Sequence, residues 1–438
     1  MSDPATRPDP GRVEPSGLDP AEVAYREQVW SNLRRNYIAH LAHGLLGQTG
    51  FRLINAPTFV PAYLYMLSGS ELAVGIARGL QSLGMFLSPI FSATLIEHRR
   101  RVLPLGFLVG SLMRVQVLGI ALAGFLLVDE WTLIAVCGLL GLFGFFLGMQ
   151  GVIFNYMMSK TIPVERRGRL LGLRNTLAGL TSAAVGAVAG GVLIERNVLG
   201  DGYATTFLVA FVLTSLGLLM LLRVREPEPP EVRAPARVRD RLRDLPALLR
   251  SDRPFTLYFM ARALASMGRM AVPFYVIYAG TLIELSGTTL GQLTMAFLLA
   301  NTTTNLLWGW IADRAGFRLV FLLSLAVWIF SALLLMQSTD LLGLLFVFVG
   351  LGAGLGGWMM SSQNMVLEFG RREDLPMRIA VANSAQELVG AVGPVLGGIL
   401  AMTWSYTGVF WLAIAFKTAA VLVMAFRVPE PRHRVEPA

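Results

Sequence analysis

From residue 36 to residue 426 the chain alternates long apolar runs with short polar turns. The runs fall near 36–66, 72–95, 103–126, 131–158, 169–194, 204–223, 254–283, 289–312, 319–337, 341–366, 379–402 and 407–426. Each is close to or above the roughly 20 apolar residues that carry a helix across a bilayer core. The pattern predicts an all-α polytopic membrane protein of twelve transmembrane helices. Residues 1–35 are polar and Pro-rich and read as an N-terminal tail, with a short amphipathic helix from Pro20 to Arg35 lying against the membrane. Residues 224–253, rich in Pro, Arg and Glu, read as a linker with a surface helix in the Asp244 to Leu249 stretch, and 428–438 as a C-terminal tail. The linker separates two six-helix halves, 36–223 and 254–427.

Composition narrows the class. A hydrophobic fraction of 54%, 15% charged residues and a mean hydropathy of +0.59 exclude an ordinary soluble globule. The net charge of +9 and pI near 10.1 do not indicate nucleic acid, because the basic residues are spread over short turns. Arg99, Arg100 and Arg101, then Lys160, Arg166, Arg167 and Arg169, then Arg314 and Arg318, then Arg371, Arg372 and Arg378 all follow even-numbered runs. Turns after odd-numbered runs carry essentially only Arg196. The positive-inside rule then puts both termini in the cytoplasm, with the protein in the plasma membrane, the inner membrane of a bacterial cell. The single Cys137 lies within an apolar run, so disulfides play no part. The first thirty-five residues lack the apolar core of a cleavable signal peptide.

One turn carries a motif. Gly309-Trp310-Ile311-Ala312-Asp313-Arg314-Ala315-Gly316-Phe317-Arg318 resembles the G-x-x-x-D-R-x-G-x-R loop signature of the major facilitator superfamily of membrane transporters. Gly309 allows a neighbouring helix close, Arg314 and Arg318 hold the turn at the cytoplasmic surface, and Gly316 permits the reversal. Asp313 needs a partner, which a helix N-terminus supplies. The resemblance implies that the partner is the start of the eleventh helix and that the contact is a latch between two bundles. The first-half counterpart, Ile96-Glu97-His98-Arg99-Arg100-Arg101, has Glu97 for the aspartate and lacks the turn glycine, so a weaker latch is expected there. The halves read as repeats: Gly186, Gly190 and Gly191 match Gly393, Gly397 and Gly398 at a constant offset of 207 (393 − 186). These glycines, with Pro394, read as helix-packing positions. Val392-Gly393-Pro394-Val395-Leu396-Gly397-Gly398 is similar to an antiporter motif that belongs to helix five in that family. Here helix five has Ala187 in place of the proline, so that inference does not carry over.

Candidate chemistry centres on Arg52 and Arg269. Each lies about sixteen residues into a long run, near the bilayer midplane, on helices one and seven. An arginine at that depth costs on the order of 2.5–3.5 kcal/mol, so it faces a wet cavity or a partner. The resemblance implies that these helices line the central cavity, where two guanidinium forks make a clamp for a phosphate or carboxylate. The alternative is that each arginine braces its own helix. Glu387 is the acid deep in an apolar run, and it reads either as a proton-coupling group or as the counter-ion of Arg269 or Arg262. Further substrate contacts are Gln48 and Asn55 on helix one, Gln150 and Asn155 on helix four, Tyr275 and Tyr278 on helix seven, and Gln363 and Asn364 on helix ten. Any of these can equally bond between helices, the use expected for Asn301 and Asn305. His40 and His43 make a poor metal site, no metal or cofactor is expected, and Arg114 and Lys417 have no evident use. No nucleotide-binding loop or catalytic triad supports an enzyme.

The reading is a secondary transporter working by alternating access on a small organic or inorganic anion. Proton-coupled efflux of amphiphilic drugs or metabolites is the alternative, and a transport-silent scaffold or sensor the reading from another class. The partners expected are the lipid bilayer, a small-molecule substrate and in some versions protons, with no nucleic acid and a monomeric state.

Overall fold

The computed structural model describes residues 20–96, 99–229, 252–369 and 375–429. The surface helix expected in Asp244 to Leu249, the basic residues Arg371 and Arg372, and the Glu97-His98 step lie outside the described residues, as do most of the two tails.

The described residues fold into helices and contain no strand. The first half comprises α1 Pro20–Ser31, α2 Leu33–Asn55, α3 Phe59–Ser68, α4 Glu71–Ile96, α5 Leu103–Leu126, α6 Asp129–Thr161, α7 Val164–Val188 and α8 Gly202–Met220. The second comprises α9 Arg253–Met267, α10 Phe274–Leu282, α11 Gly287–Ala315, α12 Phe317–Leu335, α13 Leu341–Met365, α14 Leu375–Thr403 and α15 Tyr406–Arg427. Among the described residues eight helices are long and apolar enough to cross a membrane. They are α5, α6, α7 with its extension to Ile194, α8 to Arg223, α12, α13 to Glu368, α14 from Gln386, and α15.

Two runs expected as single helices are broken, and at corresponding places. The first splits into α2 and α3 at Ala56-Pro57-Thr58, because proline lacks the N–H that would continue the ladder. The seventh splits into α9 and α10 through a 3₁₀ turn at Gly268–Ala271, with Pro273 capping α10. A basic residue satisfies the backbone at each break. Arg78 on α4 donates to the carbonyls of Ile54 (3.4 Å) and Ala56 (3.1 Å). Lys417 on α15, fully buried, donates to Gly268 O at 2.9 Å and sits 4.2 Å from the centre of the Trp328 ring. That gives Lys417 a use that its sequence position did not reveal.

The first residues of the linker are pinned. Glu226 accepts hydrogen bonds from Val102 N and Leu103 N at the start of α5 and pairs with buried Lys160 at 2.5 Å. A carboxylate at a helix N-terminus offsets the exposed N–H groups and the dipole there. Arg101 and Glu228 form a second, exposed pair at 2.7 Å.

The two bundles meet along two seams. α7 lies along α11, and α14 lies along α4. Glycines make the closest approaches. A methyl at Gly190 would collide with the Gly291 backbone, one at Gly75 with Pro394 O, and one at Gly398 would lie 2.7 Å from Glu71 O. At the same end Thr58 and Thr294 share a 2.7 Å hydrogen bond, Tyr406 donates to Glu71 at 2.5 Å, and Glu195 accepts from Thr288 N at 2.7 Å. Towards the arginine-bearing turns the glycines of α7 and α11 meet nothing. A methyl added at Gly168 or Gly172 on α7, or at Gly309 on α11, would find no neighbour within 4 Å. The bundles are therefore sealed at one end, and the α7–α11 seam opens towards the other.

Candidate functional site

The inner limit of the sealed end is where Arg52 and Arg269 sit. Arg52, half-buried on α2, donates from Nη1 to Thr302 Oγ1 on α11 at 3.0 Å, crossing from one bundle to the other. Arg269, half-buried in the 3₁₀ turn after α9, lies 5.7 Å from the centre of the Trp358 ring. Its Nη1 is 3.8 Å from the position a methyl would take on Gly390, where Ser82 of α4 also approaches. Each arginine thus comes from the first run of its own half. Each stands beside a seam formed with the second run of the other half, as a pseudo-twofold arrangement requires. Neither forms an ion pair with a carboxylate among the described residues.

Arg174 on α7 adds charge near Arg52. It stacks on Phe154 at 4.5 Å and packs over Gly44. Gln48 on α2 hydrogen-bonds Asn175, the next residue of α7, at 3.1 Å. Glu387 is half-buried on α14 and accepts from Gln386 Nε2 at 3.4 Å. The counter-ion role with Arg262 is not the one seen. Buried Arg262 instead donates to Gln386 Oε1 at 2.7 Å and to Asn383 Oδ1 at 2.8 Å.

The polar candidates separate by position. Asn55 is exposed and accepts from Gln81 at 2.8 Å while donating to Phe51 O, and Arg78 donates to the same Gln81. Asn155 and Gln363 are exposed, Asn364 bonds back to Met360 O, and Tyr278 is half-buried against Tyr406 and Phe410. Gln150 and Tyr275 are buried inside their own bundles. Gln150 lies beside Gly110 and Arg114, and Tyr275 packs edge-on to Phe410 at 5.4 Å. Arg114 is buried and donates to Thr214 O and Gly110 O at 2.6 Å each. His40 and His43 bond Thr161 Oγ1 and Gly217 O.

In the motif turn, Gly316 has φ +85°, a conformation that favours glycine. Arg318 donates to Met424 O and Ala425 O at the end of α15, and Arg314 stacks on Trp310 at 3.8 Å. Antiparallel contacts of Gly190, Gly186 and Gly179 with α11 set a register. Continued, that register brings Asp313 level with the first turns of α7. The helix lying along α11 is the fifth run, and residues 370–374, just before α14, lie outside the described residues. The glycine repeat also divides: Gly190 and Gly398 meet the opposite bundle, and Gly191 comes within 4.0 Å of Thr288 there. Gly393 and Gly397 abut Met270 in their own. Pro394 lies within α14, and its carbonyl meets Gly75.

Sequence reasoning missed Arg78, Thr302, Trp358 and Glu195. Arg78 follows Glu71 by seven residues in an apolar run, and Pro57 marks the break it serves; those were the available signals.

An arrangement of two pseudo-symmetric helical bundles, with broken first and seventh runs and glycine seams, defines an integral membrane protein of one particular architecture. Residues 44–278 and 258–438 match the family model described as Major Facilitator Superfamily, and the chain belongs to that superfamily. It is 24% identical over 396 residues to multidrug resistance protein MdtG of Proteus mirabilis, covering 87% of this chain and 93% of that one. It is 22% identical over 189 residues to multidrug resistance protein D of Escherichia coli, covering 42% of this chain and 48% of that one. Over 138 residues it is 26% identical to a triacylglyceride transporter of Mycobacteroides abscessus, covering 31% and 27%. The matches thus span about half of protein D and about a quarter of the triacylglyceride transporter. Solved structures share the fold. A mutant of the nucleoside transporter NupG superposes with TM-score 0.69 at 11% identity, covering 88% of this chain and 99% of that one. A bacterial homologue of the lysosomal transporter Spinster, inward-facing and unoccupied, gives 0.64 at 14%, covering 96% and 100%.

Proposed function

We propose that the protein is a secondary transporter of a small organic or inorganic anion, working by alternating access in the plasma membrane with its termini and arginine-bearing turns in the cytoplasm. On this reading the described state faces inward. The observation that carries the proposal is the placement of Arg52 and Arg269: two half-buried guanidiniums from opposite bundles, at the inner limit of both seams, without a carboxylate partner among the described residues. A phosphate or carboxylate entering from the open side meets donors from both halves. Binding it across the seam links solute occupancy to the relative position of the bundles. Glu387 is then a coupling or tuning group, and the solute leaves chemically unchanged.

Counterflow in vesicles containing the purified protein tests this. Arg52→Ala or Arg269→Ala is expected to weaken anion uptake about 10- to 100-fold, the loss of one charge-assisted contact. Unchanged anion flux in both variants would end the arginine clamp. A second reading, efflux of amphiphilic compounds, is favoured by the names of the multidrug relatives. It predicts flux of lipophilic cations that is indifferent to both substitutions. Saturable flux of no solute would leave the scaffold reading.

A further inference from the structure

A groove of about 380 Å³ opens between the starts of α2 and α7, lined by Leu33, Arg34, Tyr37, Ile38, Arg166, Arg169 and Leu173. Its chemistry is of two kinds. Ile38 and Leu173 are exposed apolar side chains, and Tyr37 is a half-buried amphipathic ring of the sort that collects at membrane interfaces. The other lining residues include three arginines, which turn mostly their carbon stems to the groove and whose side chains are exposed. Their neighbours in sequence are already engaged: Arg35 donates to Arg223 O at 2.6 Å, and Arg167 donates to Ile162 O and Ser159 O. Arg34, Arg166 and Arg169 are exposed, and their side chains form no hydrogen bond or ion pair among the described residues. Glu165, the acid beside them in sequence, does not line the groove.

We infer that this groove holds an anionic glycerophospholipid of the adjoining leaflet, its phosphate among Arg34, Arg166 and Arg169 and an acyl chain along Leu33, Ile38 and Leu173. The argument is charge complementarity at fixed depth. The groove lies at the start of α7, a helix long and apolar enough to cross a membrane, where lipid phosphates reside, and three uncompensated guanidiniums there attract anionic headgroups. A free phosphate would find the arginines but gain nothing from the apolar floor. A zwitterionic lipid would fill the floor but bring a cation to the arginines. The inference rests on the fold and stands whichever solute is carried. Because the groove bridges the first and fifth runs, and α7 forms one of the seams, an occupant there bears on a moving element.

Binding of phosphatidylglycerol, phosphatidylcholine and inorganic phosphate to the full chain in detergent, measured by native mass spectrometry and thermal shift, decides it. Phosphatidylglycerol is expected to bind and raise the Tm, the other two to do neither. The triple variant Arg34→Gln, Arg166→Gln, Arg169→Gln is expected to bind phosphatidylglycerol at least about tenfold more weakly. Its Tm without lipid should match the unaltered protein, since none of the three side chains supports the fold. Equal binding of both lipids, or undiminished binding of phosphatidylglycerol to the triple variant, overturns the inference. Stabilisation by inorganic phosphate that matches the lipid's would also overturn it and make the groove a soluble-anion site.

Discussion

At the scale of the residue, the side chains that decide most are those that repair or bridge backbone. Arg78 serves the carbonyls left open where α2 ends, and through Gln81 it also fixes Asn55. Removing it strands those carbonyls in a setting poor in water, a loss of about 1–3 kcal/mol. Arg78→Ala is expected to lower the Tm of the purified protein, with Arg78→Lys recovering part of the loss. Glu195 works across the sealed end by accepting from Thr288 N at the start of α11. That hydrogen bond holds its carboxyl below the usual carboxylate range. A depressed acid contributes while ionised, so the contact is complete above the ordinary carboxylate pKa and is lost as pH falls through the lowered one. Opening of the sealed end should therefore increase at acid pH in the unaltered protein and be pH-insensitive in Glu195→Gln. A distance probe across Glu195 and Thr288 reads this directly. An identical pH response in the variant would exclude Glu195 as the group.

At the scale of the element, the same helices are tight at one end and free at the other, so equal substitutions have opposite costs. Gly190→Ala drives a methyl into the Gly291 backbone and should cost about 1–3 kcal/mol. Gly309→Ala meets nothing within 4 Å and should leave the Tm unchanged. A Tm drop for Gly309→Ala equal to that for Gly190→Ala would contradict the parted end. Much of this architecture was legible in the chain. The apolar runs were long enough to reveal their own helices, and the glycine offset exposed the repeat. The breaks in the first and seventh runs were not read, because apolar residues continue through them and hydropathy does not respond to a missing N–H. Pro57 and Pro273 were the signals. Which helix would lie along α11 was not legible either, since a turn motif states what its acid needs and not which helix is near. Gln150 and Tyr275 illustrate the same gap: polarity marks a residue as expensive to bury, and only packing decides which face it occupies.

At the scale of the whole molecule, a seal built from glycine contacts, a threonine pair and two acid-centred hydrogen bonds is strong enough to define a state. Among the described residues it carries no large buried ion-pair network, which would make that state hard to leave. Alternating access requires the opposite closure to be reachable, and the positions that would form it are α7 at Gly172 and α11 at Gly309, now apart. The half-buried Cys137 is the chain's one cysteine, so Cys137→Ser provides a background for spin labels. Labels at positions 172 and 309 replace glycines around which there is open space and should not perturb the fold. On the proposed anion reading, adding the transported solute is expected to give their separation a shorter population while a pair at 195 and 288 gains a longer one. The two changes must rise together with solute concentration, because rigid bundles rocking about Arg52 and Arg269 cannot close one end without opening the other. Shortening at 172 and 309 with no change at 195 and 288 would mean that helix ends bend independently, and the rocking account would fail. If the proposed arginine clamp is right, the same titration in Arg269→Ala should move neither pair, since the solute would then lose the contact that distinguishes the two states.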